Sequence, residues 1–464
     1  AEMQDAAGEA RSALIEMVAE TDDELMEVYL EAGDLTTEQL LSGLRKAVLG
    51  RSIFPILCTA ATKLTGITRL LDIQEQSGAR AVLQRARRRL RAARGSGAGR
   101  QWRFGNPSRR LPRPVTVRIL HPSAWSDFAL GDSASAGEAY VRGRWQCGEL
   151  SDLVRLFLRN QEALDGVHGG LSWLWQPVRK LGYWLQRNTK AGSRRNIQAH
   201  YDIGNDLFRL FLDRNLMYSS AYYPTADTDL EAAAEAKLDQ VCRKLELRPE
   251  HHLLEIGTGW GGLAIHAARH FGCRVTTTTV SREQYELARE RVEQEGLSER
   301  IEVLFDDYRD LTGRYDRIVS IEMVEAVGHQ FMAGYFAQCS RLLKADGSML
   351  IQAITIADQS YREALREVDF IKRFIFPGGF LPSVTEMAKA LTRATDLRIS
   401  HLEDIGLHYA RTLRDWRGRF MDRLDAVRDL GYSEEFVRLW EYYLCYSEGG
   451  FAERHLGTVQ LLLT

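Results

Sequence analysis

At 464 residues the chain exceeds one ordinary core, so two or three domains are expected. Its 45% hydrophobic and 27% charged residues exclude a disordered or fibrous chain. No apolar run reaches the roughly 18 residues of a spanning helix, so membrane contact is expected to be peripheral. The formal charge of −2 hides a segregation: residues 1–75 carry 14 acids and 6 bases, whereas residues 76–126 carry thirteen arginines and no acid. Six scattered cysteines, with no CxxC and no histidine at ligand spacing, fit a reduced cytosolic chain without a metal site.

In chain order, Ser12 to Leu30 places apolar residues at helical spacing, and Leu35-Thr-Thr-Glu38 predicts a helix start at Thr36 or Thr37. Ile53 to Leu57 reads as a strand, Cys58 to Thr62 as a loop, and Gly66 to Leu71 as a helix. The words Ala19-Glu-Thr-Asp-Asp-Glu-Leu-Met26, Gly43-Leu-Arg-Lys46 and Pro55-Ile-Leu-Cys58 resemble part of the GTPase domain of translation elongation factor G. Both the GxxxxGK[ST] loop and an NKxD-like base reader are absent, so the segment is expected to be an appendage, and the translation-factor alternative lacks a nucleotide site. Arginines 85, 87, 88, 89, 91 and 94 then lie on a predicted helix, which Gly95 to Gly99 and Pro107 to Pro114 break. That run is either a solvated face or an attraction to anionic phosphates; without a nucleic-acid-binding fold beside it, anionic lipid headgroups are favoured and nucleic acid is not expected.

Val115 to Leu120 alternates as a strand, and a helix is predicted over 150–158. From Gly166 to His200 there is no acid; Leu171, Leu174, Trp175, Val178, Leu181 and Leu185 form a stripe flanked by arginines and lysines. Such a stripe suits either a headgroup interface or a protein core. A helix over about 229–245 leads into βα alternation, with strands at 252–256, 274–280, 301–305, 316–321 and 347–354. Between the first strand and the helix after it stands Glu255-Ile-Gly-Thr-Gly-Trp-Gly-Gly262, whose glycines permit a sharp turn and a ligand lying against the backbone. This GxGxxG is a weak signal of dinucleotide binding, and the second strand's tip, Thr277-Thr-Thr-Val-Ser281, lacks the ribose-binding acid. Glu255 already precedes the first glycine, a combination that looks like the S-adenosylmethionine (AdoMet) loop of a class I methyltransferase. The expected fold is therefore α/β, Rossmann-like, with a smaller α-rich N-terminal domain and a helical appendage. Boundaries are set at 1–75, 76–195 and 196–464. The third strand ends at Asp306-Asp-Tyr-Arg-Asp310, where an acid is available to the adenine amine.

Residues from about 80 to 464 resemble the cyclopropane-fatty-acyl-phospholipid synthase family. The carriers are GEAYVRGRWQC (137–147), HYDIGNDLF (200–208), YSSAYY (218–223), LLEIGTGWGG (253–262), DDYRDL (306–311), YDRIVSIEMVEAVG (315–328), IFPGGFLPS (375–383) and YYLCYSEGGF (442–451). The resemblance implies transfer of the AdoMet methyl to a cis double bond of an unsaturated phospholipid acyl chain, then ring closure. An alkene is a feeble nucleophile, so the reacting carbons need a dry, aligned pocket, aromatic faces for the carbocation, and a base. For the base the resemblance implies a bound bicarbonate, gripped by Glu325, Tyr409 and the backbone at Ile354, with Ser220 and Gln352 beside it. For AdoMet it implies Tyr218, Ser219, Glu255, Gly257, Gly259, Thr279, Gln284, Asp307 and Tyr308. Three departures stand out: Ser220 replaces a cysteine, Gln352 replaces a histidine, and Ala326 follows Glu325 where EHVG is usual. Ring closure is favoured; a methyl or methylene product, methylation of another small or lipid acceptor, and an inactive lipid-binding relative stay open. A homodimer is left open too, and the expected location is cytoplasmic, peripheral to the inner face of the membrane.

Overall fold

The computed structural model describes residues 204–464 throughout, most of 115–159, and shorter pieces within 15–42 and at 101–104. The expected elements over 53–71, the arginine helix over 85–94 and the stripe over 171–195 lie outside the described residues. The chain divides into two compact units, residues 1–98 and 99–464. In the first, α1 (Asp23–Ala32) offers Leu25, Met26, Val28 and Tyr29 to a small core of Ile15, Leu35 and Leu40. The helix start expected at Thr36 or Thr37 is a capping box on Thr36: its amide donates to Gln39 Oε1, and the Gln39 amide donates back to Thr36 Oγ1.

The second unit begins with an antiparallel sheet of β1 (Gln101–Phe104), β2 (Val115–Ile119) and β3 (Trp145–Cys147), to which α2 (Ser133–Val141) and α3 (Leu150–Leu158) belong. After α4 (Asn205–Phe211) and α5 (Leu230–Lys244), a seven-stranded sheet is laid down. Its strands are β4 (His252–Ile256), β5 (Arg274–Thr278), β6 (Ile301–Leu304), β7 (Tyr315–Ile321), β8 (Leu343–Ile356), β9 (Ile399–Asp404) and β10 (Leu456–Leu463), in the order β6-β5-β4-β7-β8-β10-β9. The first five are parallel, and β10 runs antiparallel between β8 and β9. The five strands read from sequence are present within a few residues of the expected bounds, β8 starting earlier, at Leu343.

Strand alternation sends neighbours to opposite faces. Leu254, Ile318, Met349 and Ile351 pack under α8 (Met332–Leu342) and α9 (Val384–Ala394), while Leu253, Val275, Val319 and Leu350 meet α5 and α6 (Gly262–Phe271). α7 (Arg282–Gln294) follows β5 and is started by Ser281, whose Oγ accepts from the Gln284 amide. The architecture is thus a Rossmann-like α/β sandwich. A crevice at the carboxyl ends of β4, β7 and β8 is expected of it, because the strand order reverses between β4 and β7.

A third core joins the small sheet to the helices between β9 and β10. α10 (Gly406–Asp422) and α11 (Glu434–Ala452) pack Trp416, Phe420, Trp440 and Tyr443 with Phe208, Phe211, Trp145 and Val117. Glu448 of α11 accepts from Ser151 of α3 at 2.8 Å and from Arg414 and Arg417 of α10, tying three helices together. Beside it the helix backbone comes so close to α3 that a Cβ on Gly449 would stand 2.6 Å from Val154 Cγ1. We therefore expect Gly449→Leu to overpack this seam and destabilise the unit by about 1–3 kcal/mol. Denaturant unfolding measures it, and an unchanged midpoint would show that the seam yields freely.

Candidate active site

The turn from β4 to α6 is built from left-handed glycines: φ is 102° at Gly257, 52° at Gly259 and 85° at Gly261. The amides of Gly257 and Thr258 both donate to the Thr278 carbonyl, which pins the loop to the tip of β5. Trp260 is buried, with its indole N–H donating to Asn205 Oδ1 at 2.7 Å, and so fastens α4 to the loop. Gly262 has no room for a Cβ, which would meet Met217 Sδ at 2.6 Å and the Asn215 carbonyl at 2.7 Å. At Gly259 the opposite holds: among the described residues, no atom lies within 4 Å of where a Cβ would stand. The backbone is open on that side, as a cradle for a ligand requires.

Around this cradle the other predicted cofactor residues are placed as follows. Thr279 Oγ1 donates to Gln284 Oε1 at 2.9 Å, so these two are brought together at the start of α7. Asp307 caps the short turn over Tyr308–Asp310 and is gripped by the Arg309 guanidinium through both oxygens. Tyr308 packs edge-on against Tyr335. Tyr218 stacks on Trp416 at 5.3 Å, and its hydroxyl is 2.9 Å from that of Tyr443. Glu255 lies on β4 near the strand's tip, as its position in the sequence predicts: it is buried and accepts from Thr277 Oγ1 at 2.7 Å. Burial raises its pKa to about 8.

Of the five residues predicted around the base, Ser220, Gln352 and Tyr409 converge on a carboxylate the sequence reading passed over, while Ile354 meets Glu325 beside it. Glu322, just beyond β7, receives the Ser220 amide and Gln352 Nε2 on Oε1, each at 2.9 Å, and the Tyr409 hydroxyl on Oε2 at 2.8 Å. Ser220 Oγ itself donates to the Ala221 carbonyl. The Ile354 amide donates to Glu325 Oε1 at 2.5 Å, while Glu325 Oε2 is buried without a hydrogen-bond partner. Glu322 and Glu325 retain some accessible surface, yet loss of hydration raises both pKa values, that of Glu325 to about 8 with the Glu322 charge as a second cause.

Also missed was Lys237, fully buried on α5, whose Nζ donates to Ser219 Oγ at 3.0 Å. Its pKa is lowered to about 8 by burial, against the pull of Glu322, Asp213 and Glu255. A lysine on the otherwise apolar Ala233–Leu238 face of an amphipathic helix was the available signal. For Glu322 it was a second acid directly at the strand end.

Aromatic rings wall this cluster. Tyr409 stacks on Phe451 at 4.5 Å and meets Trp416 edge-on, and Phe376 lies against both Tyr218 and Tyr443. A glycine cradle beside a carboxylate cluster and aromatic faces, at one end of a Rossmann-like sheet, defines an AdoMet-dependent methyltransferase. Residues 188–461 match the mycolic acid cyclopropane synthetase family, and the chain belongs to it. It is 40% identical over 334 residues to tuberculostearic acid methyltransferase of Mycobacterium tuberculosis, covering 70% of this chain and 78% of that protein. It is 35% identical over 353 residues to cyclopropane-fatty-acyl-phospholipid synthase of Escherichia coli, covering 76% and 88% respectively. Among solved structures, mycolic acid cyclopropane synthase CmaA1 complexed with SAH and CTAB superposes with a TM-score of 0.55 at 31% identity, over 58% of this chain and 97% of that one. Coclaurine N-methyltransferase, at 20% identity, shares the fold.

Two measurements follow from this geometry. A side chain at Gly259 would stand over the open face of the loop on a left-handed backbone that disfavours it, so Gly259→Val is expected to abolish AdoMet binding in calorimetry, with circular dichroism checking that the domain stays folded; unchanged affinity would reassign the loop. Glu325 binds its proton more tightly folded than unfolded, so its stability contribution is complete below about pH 4.5 and lost as pH rises towards 8. Across that window it removes about 1.4 kcal/mol per pH unit, and Glu255 acts in the same direction. Glu325→Gln should therefore lose less stability than the wild type between pH 5 and 8, and equal losses would place the Glu325 pKa near its ordinary value.

Proposed function

We propose that the protein methylates the cis double bond of an unsaturated phospholipid acyl chain and closes a cyclopropane ring. The observation that carries this reading is the aromatic-walled carboxylate cluster next to the glycine cradle. It is an arrangement with little use in N- or O-methylation, where the acceptor already has a lone pair. When bound, AdoMet supplies an electrophilic methyl group on a sulfonium. Gly257 and Gly259 let it approach the backbone, with Tyr218, Ser219, Thr279, Gln284, Asp307 and Tyr308 around it. Tyr218, Tyr409 and Phe451 present ring faces that stabilise a developing carbocation without reacting with it. Ser219 joins the two halves of the site, since its hydroxyl accepts from Lys237.

The donors that the resemblance assigns to a bicarbonate are, among the described residues, already engaged. Ser220, Gln352 and Tyr409 donate to Glu322, and the Ile354 amide donates to Glu325. A second anion would face two carboxyl groups with those donors already engaged, so we assign no step to it. A methyl- or methylene-branched product is the second reading, favoured by the 40% identity to a tuberculostearic acid methyltransferase. The membrane surface, with anionic headgroups at the arginine-rich segments, is the proposed place of work, and its inner face the proposed location. No described helix is long and apolar enough to cross a membrane.

Vesicles of unsaturated phospholipid with methyl-labelled AdoMet test both readings. Ring closure adds CH₂ and leaves no alkene for ozone to cleave, whereas a methylene product remains cleavable. If basic side chains meet headgroups, each contributes about 1 kcal/mol and is screened by salt. Vesicle binding is then expected to weaken with salt, and more on anionic than on neutral lipid. Transfer of label to no lipid would overturn the reading.

A further inference from the structure

Glu322 has a backbone that glutamate rarely adopts, with φ at +48°. Its amide donates to the Gln352 carbonyl at 2.7 Å, which holds that turn in place at the end of β7. The strained turn swings the carboxylate back between Ser220, Gln352 and Tyr409. Residues in such conformations concentrate where a side chain must be aimed.

A second feature fixes the polarity of the group. Register aligns Gln352 of β8 with Gln460 of β10, and Gln460 with Glu403 of β9. Across this row Gln460 Nε2 donates to Gln352 Oε1 at 3.0 Å, and Lys244 Nζ donates to Gln460 Oε1 at 2.6 Å while also holding Glu403. An ammonium only donates and a carboxylate only accepts. With Lys244 at one end, both amides have a single consistent orientation, and Gln352 must present its amide nitrogen, which donates to Glu322 and lies 3.5 Å from the Ser220 carbonyl. A protonated Glu322 would find no acceptor in Gln352. The chain therefore favours the ionised form of Glu322.

We propose that the Glu322 carboxylate is itself the base of the reaction, standing where family resemblance sets a bound bicarbonate, and that the Lys244–Gln460–Gln352 chain keeps it ionised and aimed. This rests on the methyl-transfer reading above. In the step, the alkene π pair forms the new C–C bond to the methyl carbon as the C–S pair leaves with sulfur, giving a neutral thioether and a carbocation. Glu322 then takes a proton from the added methyl, and the released C–H pair closes the three-membered ring. The sum is one cationic donor and one alkene giving thioether, cyclopropane and a proton, with no further co-reactant. The charged and titratable groups facing Glu322 are Lys237 from α5, Glu325 from the following turn and Tyr409 from α10; Glu403 faces Lys244. Glu325, with one donor against three, is the more easily protonated of the two carboxyls, so the pair divides into a neutral acid and a base.

The test uses the full chain in bicarbonate-stripped and bicarbonate-supplied buffer. Wild-type turnover should be the same in both. Glu322→Gln should retain AdoMet affinity and lose about a hundredfold in turnover. Glu322→Gly, which also relieves the left-handed backbone, should lose as much and be partly rescued by bicarbonate or formate. A titration with ¹³C-bicarbonate followed by NMR needs no turnover: it should show saturable binding to Glu322→Gly and none to the wild type. Wild-type dependence on bicarbonate, saturable wild-type binding, or a fully active Glu322→Gln would each overturn the assignment. Absence of methyl transfer by the wild type would instead strike the functional reading, leaving the titration to judge Glu322. For the chain, Lys244→Met and Gln460→Leu should each move the acid limb of the rate profile up by roughly one pH unit, and the double variant no further. Unmoved profiles in variants with wild-type melting temperatures would remove the chain from the proposal.

Discussion

One buried ammonium organises the site. Lys237 has no accessible surface, yet Asp213, Glu255 and Glu322 all act on it, and its proton is shared towards Ser219. Taking several carboxyl groups out of water beside a single cation is affordable only if some of them stay protonated, which is the direction burial gives both Glu255 and Glu325. The pocket is thus short of positive charge, and a ligand bearing a sulfonium suits it electrostatically as well as sterically. The glycine cradle supplies room, and the lysine and its acids supply the field.

Much of the scaffold was legible because its determinants are local. Buried runs such as Leu253-Leu-Glu-Ile256, punctuated by glycines and followed by amphipathic helices, specify β4 to β8 and the turn between β4 and α6. The last two strands were not read. β9 lies mostly exposed at the sheet edge and shows no alternation, and β10 follows a 19-residue helix that carries the chain away from the sheet. Their places depend on pairing across long stretches of chain, which no window of sequence displays.

The site divides along the same line. Gly257, Gly259, Thr279 and Gln284 sit close in sequence to the strands that position them, and their grouping was anticipated. Ser220, Gln352, Tyr409, Ile354 and Glu325 were anticipated as a group through family likeness. What they surround was not, because the direction of Glu322 is set by one backbone dihedral. Glu322 and Glu325 are three apart in one segment, and either was a fair candidate until the left-handed turn separated their roles.

The insertion of β10 between β8 and β9 has a dynamic consequence. β9 pairs with β10 alone, so it can detach from the edge of the sheet and take Glu403 with it, while Gln460 on β10 stays paired with β8. Lys244 would then keep Gln460 as an acceptor but lose its ion-pair partner. Amide hydrogen exchange along β9 would report how often that opening occurs. If the row acts as proposed, the breathing of a solvent-facing edge strand reaches, through two side-chain amides, the proton affinity of a group at the far end of the row.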